Sequence, residues 1–222
     1  MKRAILLGAI WAFSLPVSAD DLPVVTADKQ SAPKVVAPEI AKTLSPTSYS
    51  IKNGDKEIAH LWIRESIPVQ AADEPPPYNA MTEGTLVAVL EIKADDLTDF
   101  RDQKLAEGIY TLRLGIQPSD GNHMGVAPFP EFLCLVPAEK DTELAPMEHD
   151  PLMKISKEAS GTGHPAVMFM QPFFEKPALK FPIVNENEAN NIVVNVLTHA
   201  EVDGKKIDFP IGIIIVGTTD AE

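Results

Sequence analysis

A single cysteine, Cys134, is present among the 222 residues, so no internal disulfide can form and the core alone must hold the fold. Cys134 sits in the apolar run Phe132-Leu133-Cys134-Leu135-Val136, where a buried, inert thiol is expected. Motifs that would announce catalysis are missing as well. There is no Gly-x-Ser-x-Gly nucleophile elbow, no His-Glu-x-x-His helix, no phosphate-cradling Gly-rich loop opening a helix and no Cys-x-x-Cys-His haem attachment. Paired carboxylates of the glycosidase kind are set by spatial separation, so the 32 acidic residues argue neither for nor against them. Positive charge is scarce: 19 Lys and Arg face 32 Asp and Glu, for a net −13. That balance disfavours nucleic acid and anionic membrane surfaces as partners. Long apolar runs are lacking too. Ala4 to Leu15 is uncharged for only 12 residues, against the roughly 20 needed to span a bilayer.

That short run has another use. Lys2 and Arg3 precede it, Pro16 breaks it, and Val17-Ser18-Ala19 supplies the compact residues a signal peptidase reads. The order is that of a secretory signal, residues 1–19, with cleavage expected after Ala19. Export to the periplasm or the cell exterior follows as the expected localisation, without membrane insertion of the mature chain. Losing Lys2 and Arg3 takes the net charge from −13 to −15. The remaining length, about 200 residues, suits one domain better than two.

Residues 20–46 are rich in Pro, Ala, Val, Lys and Thr and show no apolar period, so the expectation is an extended linker or arm. The domain is expected over 47–222. There the dominant period is two. Tyr49 to Ile51, the turn signal Asn53-Gly54 and Ile58 to Arg64 read as a hairpin. Thr85 to Ile92 is apolar on both faces except for Glu91, as in a central strand. In Ile109 to Ile116, Tyr110, Leu112, Leu114 and Ile116 share one face, with Thr111 and Arg113 on the other. Glu131 to Val136, Ala166 to Met170 and Leu179 to Val184 are further short strands. Asn191 to Val202, the Asp203-Gly204 turn and Lys205 to Gly217 form a long final hairpin in which Pro210 forces a bulge or an edge. Asp150 to Ser160 predicts one short helix, with Asp150 as N-cap, Pro151 first and Gly161 ending it. Leu97 to Leu105 is a weaker helical stretch. The expected fold is an all-β antiparallel sandwich of about eight to ten strands with one or two short helices.

The segment Ala106-Glu107-Gly108-Ile109-Tyr110-Thr111-Leu112-Arg113 resembles the Gly-x-Tyr-Thr-Leu strand entry of secreted transthyretin-like and immunoglobulin-like β-sandwich domains. It covers about eight residues, and what it implies is a fold class with no catalytic residues to carry over.

The loop 118–131 is the most distinctive segment. It joins two strands, and Gly121, Gly125, Pro128 and Pro130 fix its path. Loops on a rigid β scaffold are where binding residues concentrate. Asp120, Asn122, His123, Met124, Phe129 and Glu131 are the candidate binding residues. His123 and Met124 also offer imidazole and thioether ligands suited to copper; His149, His164, His199, Met147, Met168 and Met170 could join them. Met168 and Met170 stand at strand spacing, where core packing is the ordinary explanation. Ser160-Gly161-Thr162-Gly163-His164-Pro165 follows a helix rather than preceding one, so it reads as a C-cap leading into a strand. The acidic residues Asp95, Asp96, Asp99, Asp102, Asp141 and Glu143 do not match a calcium loop and read as a solvated face. Together these point to a non-catalytic, exported binding or assembly module with a protein partner and no cofactor. A copper- or zinc-handling protein or metalloenzyme with its site at the 118–131 loop is the alternative.

Overall fold

The computed structural model describes residues 22–70, 77–94, 97–118, 129–173 and 180–217. The signal-like segment 1–19 lies outside them. The fold is an all-β sandwich of two sheets. The larger runs β1 (Val24–Asp28), β2 (Leu44–Asn53), β3 (Lys56–Arg64), β5 (Leu86–Ile92), β6 (Gly108–Ile116), β7 (Glu131–Pro137) and β8 (Val167–Phe169), each antiparallel to the next. The smaller is built on β10 (Ile192–Val202) and β11 (Lys205–Val216). Along the other edge of β10 lie β9 (Ile183–Glu186), antiparallel, and the three-residue β4 (Ser66–Pro68), which pairs in parallel. The helices are α1 (Pro38–Ala41) and α2 (His149–Ser160).

Local chemistry explains the hairpins. Gly54 supplies a φ of +57° between β2 and β3, where Asn53 pairs with Lys56, so the turn is centred one residue later than expected. Asp203 and Gly204 take φ values of 50° and 75°, the two positive angles a tight β10–β11 turn requires. Helix α2 ends at Gly161 in the left-handed region with φ 63°, donating its N–H to Lys157. Its N-cap is Glu148, not Asp150, and no side chain caps it. Pro210, on β11, keeps register opposite Leu197 of β10; β11 is an edge strand of the small sheet, and the one irregularity of the pair falls at Ile192 and Val193.

The period of two decides what each face buries. Leu61, Leu90, Leu112, Leu133 and Leu135 of the large sheet pack with Val194, Val196, Phe209, Ile211 and Ile213 of the small one. Tyr110, Leu112 and Leu114 join that core, with Ile116 partly buried against it. The outer face of the large sheet is also covered. Trp62, Leu86 and Val89 lie under Val36, Ile40 and Leu44, while Cys134 and Val136 lie under Leu152 of α2. A strand covered on both sides needs no polar alternation, which is why β7 is buried from end to end. Cys134 is inaccessible, and burial pushes its thiol up to about 12.

Three expectations change on this frame. Residues 24–46, read as an extended linker or arm, are docked: β1 pairs along β2, and Val36 and Ile40 are buried. Polar contacts fasten β1. Asp28 accepts the Ser48 hydroxyl, Trp62 donates its indole N–H to the Gln30 carbonyl at 2.7 Å, and His60 Nε2 faces Asp28 Oδ1 at 3.3 Å. On its other side His60 Nδ1 meets Glu57 Oε1 at 2.8 Å, and Lys93 reaches Glu57 Oε2 at 3.0 Å. Second, Leu97 to Leu105 is not helical. Thr98 pairs with Lys104 around a loop whose knot is the buried Asp99. Asp99 Oδ1 accepts the N–H of Arg101 and of Gln103, so its side chain satisfies backbone groups that a helix would have used. Third, the acidic face is only partly solvated, because Asp99 and Asp141 are both buried; Asp95 and Asp96 lie outside the described residues.

Asp141 answers a demand from β6. Thr111 and Arg113, on the face opposite Tyr110 and Leu112, are fully buried rather than wet. Arg113 Nε and Nη2 bind the two oxygens of Asp141 at 2.7 and 2.8 Å. Its remaining donors go to the carbonyls of Gly84 at 2.7 Å, Ala145 at 2.9 Å and Glu143. All five guanidinium N–H groups are used, and the segment 138–147 is thereby clamped to the sheet.

Candidate functional site

Beside α2 on the outer face of the large sheet there is a cleft of about 390 Å³. Its apolar lining comes from Phe132 on β7 and from Val167 and Phe169 on β8, all buried. Phe169 contacts both Phe132 and Phe100, with ring centroids 5.7 and 4.6 Å apart. Helix α2 supplies His149, Met153 and Lys157, four residues apart and so on one stripe of the helix. The adjacent stripe carries Leu152, Ser156 and Ala159 into the protein. Ser156 fixes α2 against the chain entering β8, its hydroxyl donating to the Ala166 carbonyl at 2.9 Å.

Arg101 and His164 complete another part of the rim. The Asp99 knot places Arg101: Asp99 Oδ2 accepts the N–H of Val167 at 3.2 Å, and Phe100 donates its N–H to the Val167 carbonyl at 3.1 Å. Arg101 Nη1 then lies 3.5 Å from His164 Nδ1, a contact in which the guanidinium can only donate. The expected C-cap at 160–165 is in place and does the same work from the other side, with Ser160 Oγ donating to the His164 carbonyl at 2.6 Å.

Gln117 and Pro118 close the lining at the root of the loop 118–131. The loop leaves and re-enters the sheet side by side, since Gln117 donates its N–H to the Pro130 carbonyl at 2.8 Å. Asp120, Asn122, His123 and Met124 lie outside the described residues. Phe129 is half-buried. Glu131 is not a loop residue: it opens β7 opposite Ile116 and is buried, and desolvation pushes its carboxyl up. Its backbone is committed to β8's exit, where Met170 donates to the Glu131 carbonyl at 3.1 Å.

The remaining metal candidates disperse. Met168 and Met170 are core residues, as their strand spacing indicates, and His199 lies on the small sheet 3.8 Å from Asp208. His149 Nδ1 is 2.9 Å from Glu83 Oε1. Among the described residues no three His, Cys, Asp or Glu side chains converge as a metal site. Nor do the residues lining the cleft include a Ser, Thr or Cys that His149 could activate. A smaller cavity of about 190 Å³ borders Arg113 and Asp141. Their polar atoms are already spent on each other and on carbonyls, so that cavity offers a ligand little.

What the cleft offers is an apolar floor with a rim of Arg101, Lys157 and two imidazoles, and no carboxylate among its lining residues. Sequence reading missed the cleft because its walls come from segments spread over 101–169. The stripe His149, Met153, Lys157 was visible as an i, i+4, i+8 pattern and is the signal that would have pointed to it. Comparisons with known protein families, with curated proteins and with solved structures find no match to this chain.

Proposed function

We propose that the protein is an exported, non-catalytic binding module that captures a protein partner through the cleft beside α2. One observation carries this reading: an apolar concavity of about 390 Å³ lies at the root of the loop 118–131, on a rigid sheet, with two cationic side chains on its rim. A cleft of this size and lining is a normal setting for recognition. Fixed β strands and a capped helix lower the entropy lost on binding. Export rests on the basic, apolar and compact-residue order of residues 2–19. The test is a pull-down from the periplasmic or secreted fraction of native extract with wild type and with Arg101→Glu/Lys157→Glu. Both side chains are exposed, so the fold should survive and capture of the partner should be lost. A partner held equally by both proteins overturns the reading.

Copper or zinc handling is the second reading, and one observation favours it: His149 and His164 both line the cleft that Pro118, at the start of the His123 loop, also borders. Against it stands Arg101, whose guanidinium contacts His164 and repels a cation. Protein purified without chelator should carry stoichiometric metal by mass spectrometry, lost in His123→Ala, if this reading is correct.

A further inference from the structure

We infer that the cleft takes a short extended acidic segment of the partner, a carboxylate-bearing residue next to a bulky apolar one. This deepens the binding reading above and rests on it.

Charge is the first argument. The chain carries 32 acidic and 19 basic residues, yet the residues lining the cleft bring Arg101 and Lys157 and no Asp or Glu. The Glu83 carboxylate is engaged by His149 Nδ1 at 2.9 Å, and the always-charged side chains among the lining residues are Arg101 and Lys157. Among the described residues neither of these two makes an ion pair with a carboxylate; the Arg101 guanidinium makes one hydrogen bond, to His164 Nδ1 at 3.5 Å. A neighbouring carboxylate, Glu158, is already taken by Lys140. Two unpaired cations over a local opening in an acidic surface attract an anion, and they discriminate against a basic segment by repulsion.

The floor supplies the second argument. Phe132, Val167 and Phe169 reward an aromatic or branched aliphatic side chain, because rings prefer offset or tilted contact with other rings. Dimensions give the third. The stripe from His149 to Lys157 rises about 12 Å along α2 at the helical increment of roughly 1.5 Å per residue. Four residues of extended chain span about 13 Å. The cleft's 390 Å³ holds one large side chain with its flanking backbone and is too small for the face of a folded domain.

The test uses the mature, isotope-labelled protein and two unlabelled peptides, acetyl-Glu-Leu-Phe-Glu-amide and acetyl-Lys-Leu-Phe-Lys-amide, titrated by NMR. The acidic peptide should shift the amide signals of α2 and of residues 99–101, and more weakly as salt is raised. The basic peptide should bind at least about tenfold more weakly, and Arg101→Gln/Lys157→Gln should weaken the acidic peptide by about three- to tenfold, since each rim pair contributes little by itself. Lys205→Gln/Lys206→Gln, on the distant β10–β11 turn, should change neither. Equal affinity for the two peptides, no binding of the acidic one, or acidic binding unchanged in Arg101→Gln/Lys157→Gln overturns the inference. The pull-down separates the two levels. A partner lost on charge reversal while the peptides show no acid preference overturns this inference alone. A partner captured equally by wild type and the charge-reversed protein overturns the binding reading and this inference with it.

Discussion

Replacing Asp141 with Asn removes one charge from a buried ion pair. Arg113 and Asp141 are each about 1% exposed at the side chain. The carboxylate accepts from Arg113 Nε and Nη2 and from the Thr111 hydroxyl. Asp141→Asn keeps the shape but turns one acceptor into a donor aimed at a guanidinium, and it leaves a buried cation unpaired. Removing one partner of a buried pair costs about 3–5 kcal/mol, out of total stabilities of about 5–15 kcal/mol. For a domain of this length about 1 kcal/mol corresponds to roughly 2–4 °C, so the melting temperature should fall by about 6–20 °C. Urea unfolding of residues 20–222, followed by the fluorescence of the buried Trp62, is the assay. Arg113→Met closes a double-mutant cycle. Because both substitutions abolish one interaction, the double variant should be less destabilised than the sum of the singles by about 0.5–3 kcal/mol. It should still be weaker than wild type, since the carbonyls of Gly84, Glu143 and Ala145 lose their donor. A loss below about 1 kcal/mol for Asp141→Asn, or strict additivity in the cycle, refutes the argument that this pair clamps segment 138–147.

Leu112 is fully buried between the sheets, so Leu112→Ala should cost about 2–5 kcal/mol in the same urea assay. Tyr78 donates to the Pro210 carbonyl at 3.0 Å and accepts the Gly212 N–H at 2.8 Å; Tyr78→Phe strands that buried N–H and should cost about 1–3 kcal/mol. Glu57 gives the pH dependence. Burial works upward on its carboxyl, but hydrogen bonds from His60, Lys93 and Ser50 and the Lys93 charge outweigh it and hold it at about 2, against an ordinary 4.5. A carboxyl lowered on folding stabilises fully above its unfolded value, and that contribution is lost as pH falls from about 4.5 towards about 2. Glu57→Gln should therefore flatten the stability profile over that window and change nothing in the slope above it; an unaltered acid limb refutes the assignment.

Much of the architecture was legible because its causes are local. Asp203-Gly204 and Gly54 turn the chain through angles that few other residues accept, and Gly161 stops α2 for the same reason. Alternation put Tyr110, Leu112 and Leu114 on the core side without knowledge of the partner sheet. The strand Gly108–Ile116 also held an unread signal: Arg113 stands in a sequence otherwise fit for burial, and a buried guanidinium demands a carboxylate. Which one could not be read, since Asp141 is 28 residues away and its neighbours look like an ordinary acidic turn. Leu97 to Leu105 misled for a related reason. Its apolar spacing suits a helix, but Asp99 gains more from the N–H groups of Arg101, Gln103 and Val167 than a helix offers it.

The sequence by itself determined the class of fold, the turns, the faces of the strands and the inert burial of Cys134, because each depends on backbone angles or on a period of two within a few residues. The tertiary structure alone decided that residues 24–46 dock as an edge strand and a cover, that Arg113 pairs with Asp141, and that Arg101 stands near Lys157 over Phe132 and Phe169. These depend on which distant segments the antiparallel order brings side by side. Hydrophobic pattern states that a face must be covered, but apolar attraction is non-directional and does not name what covers it.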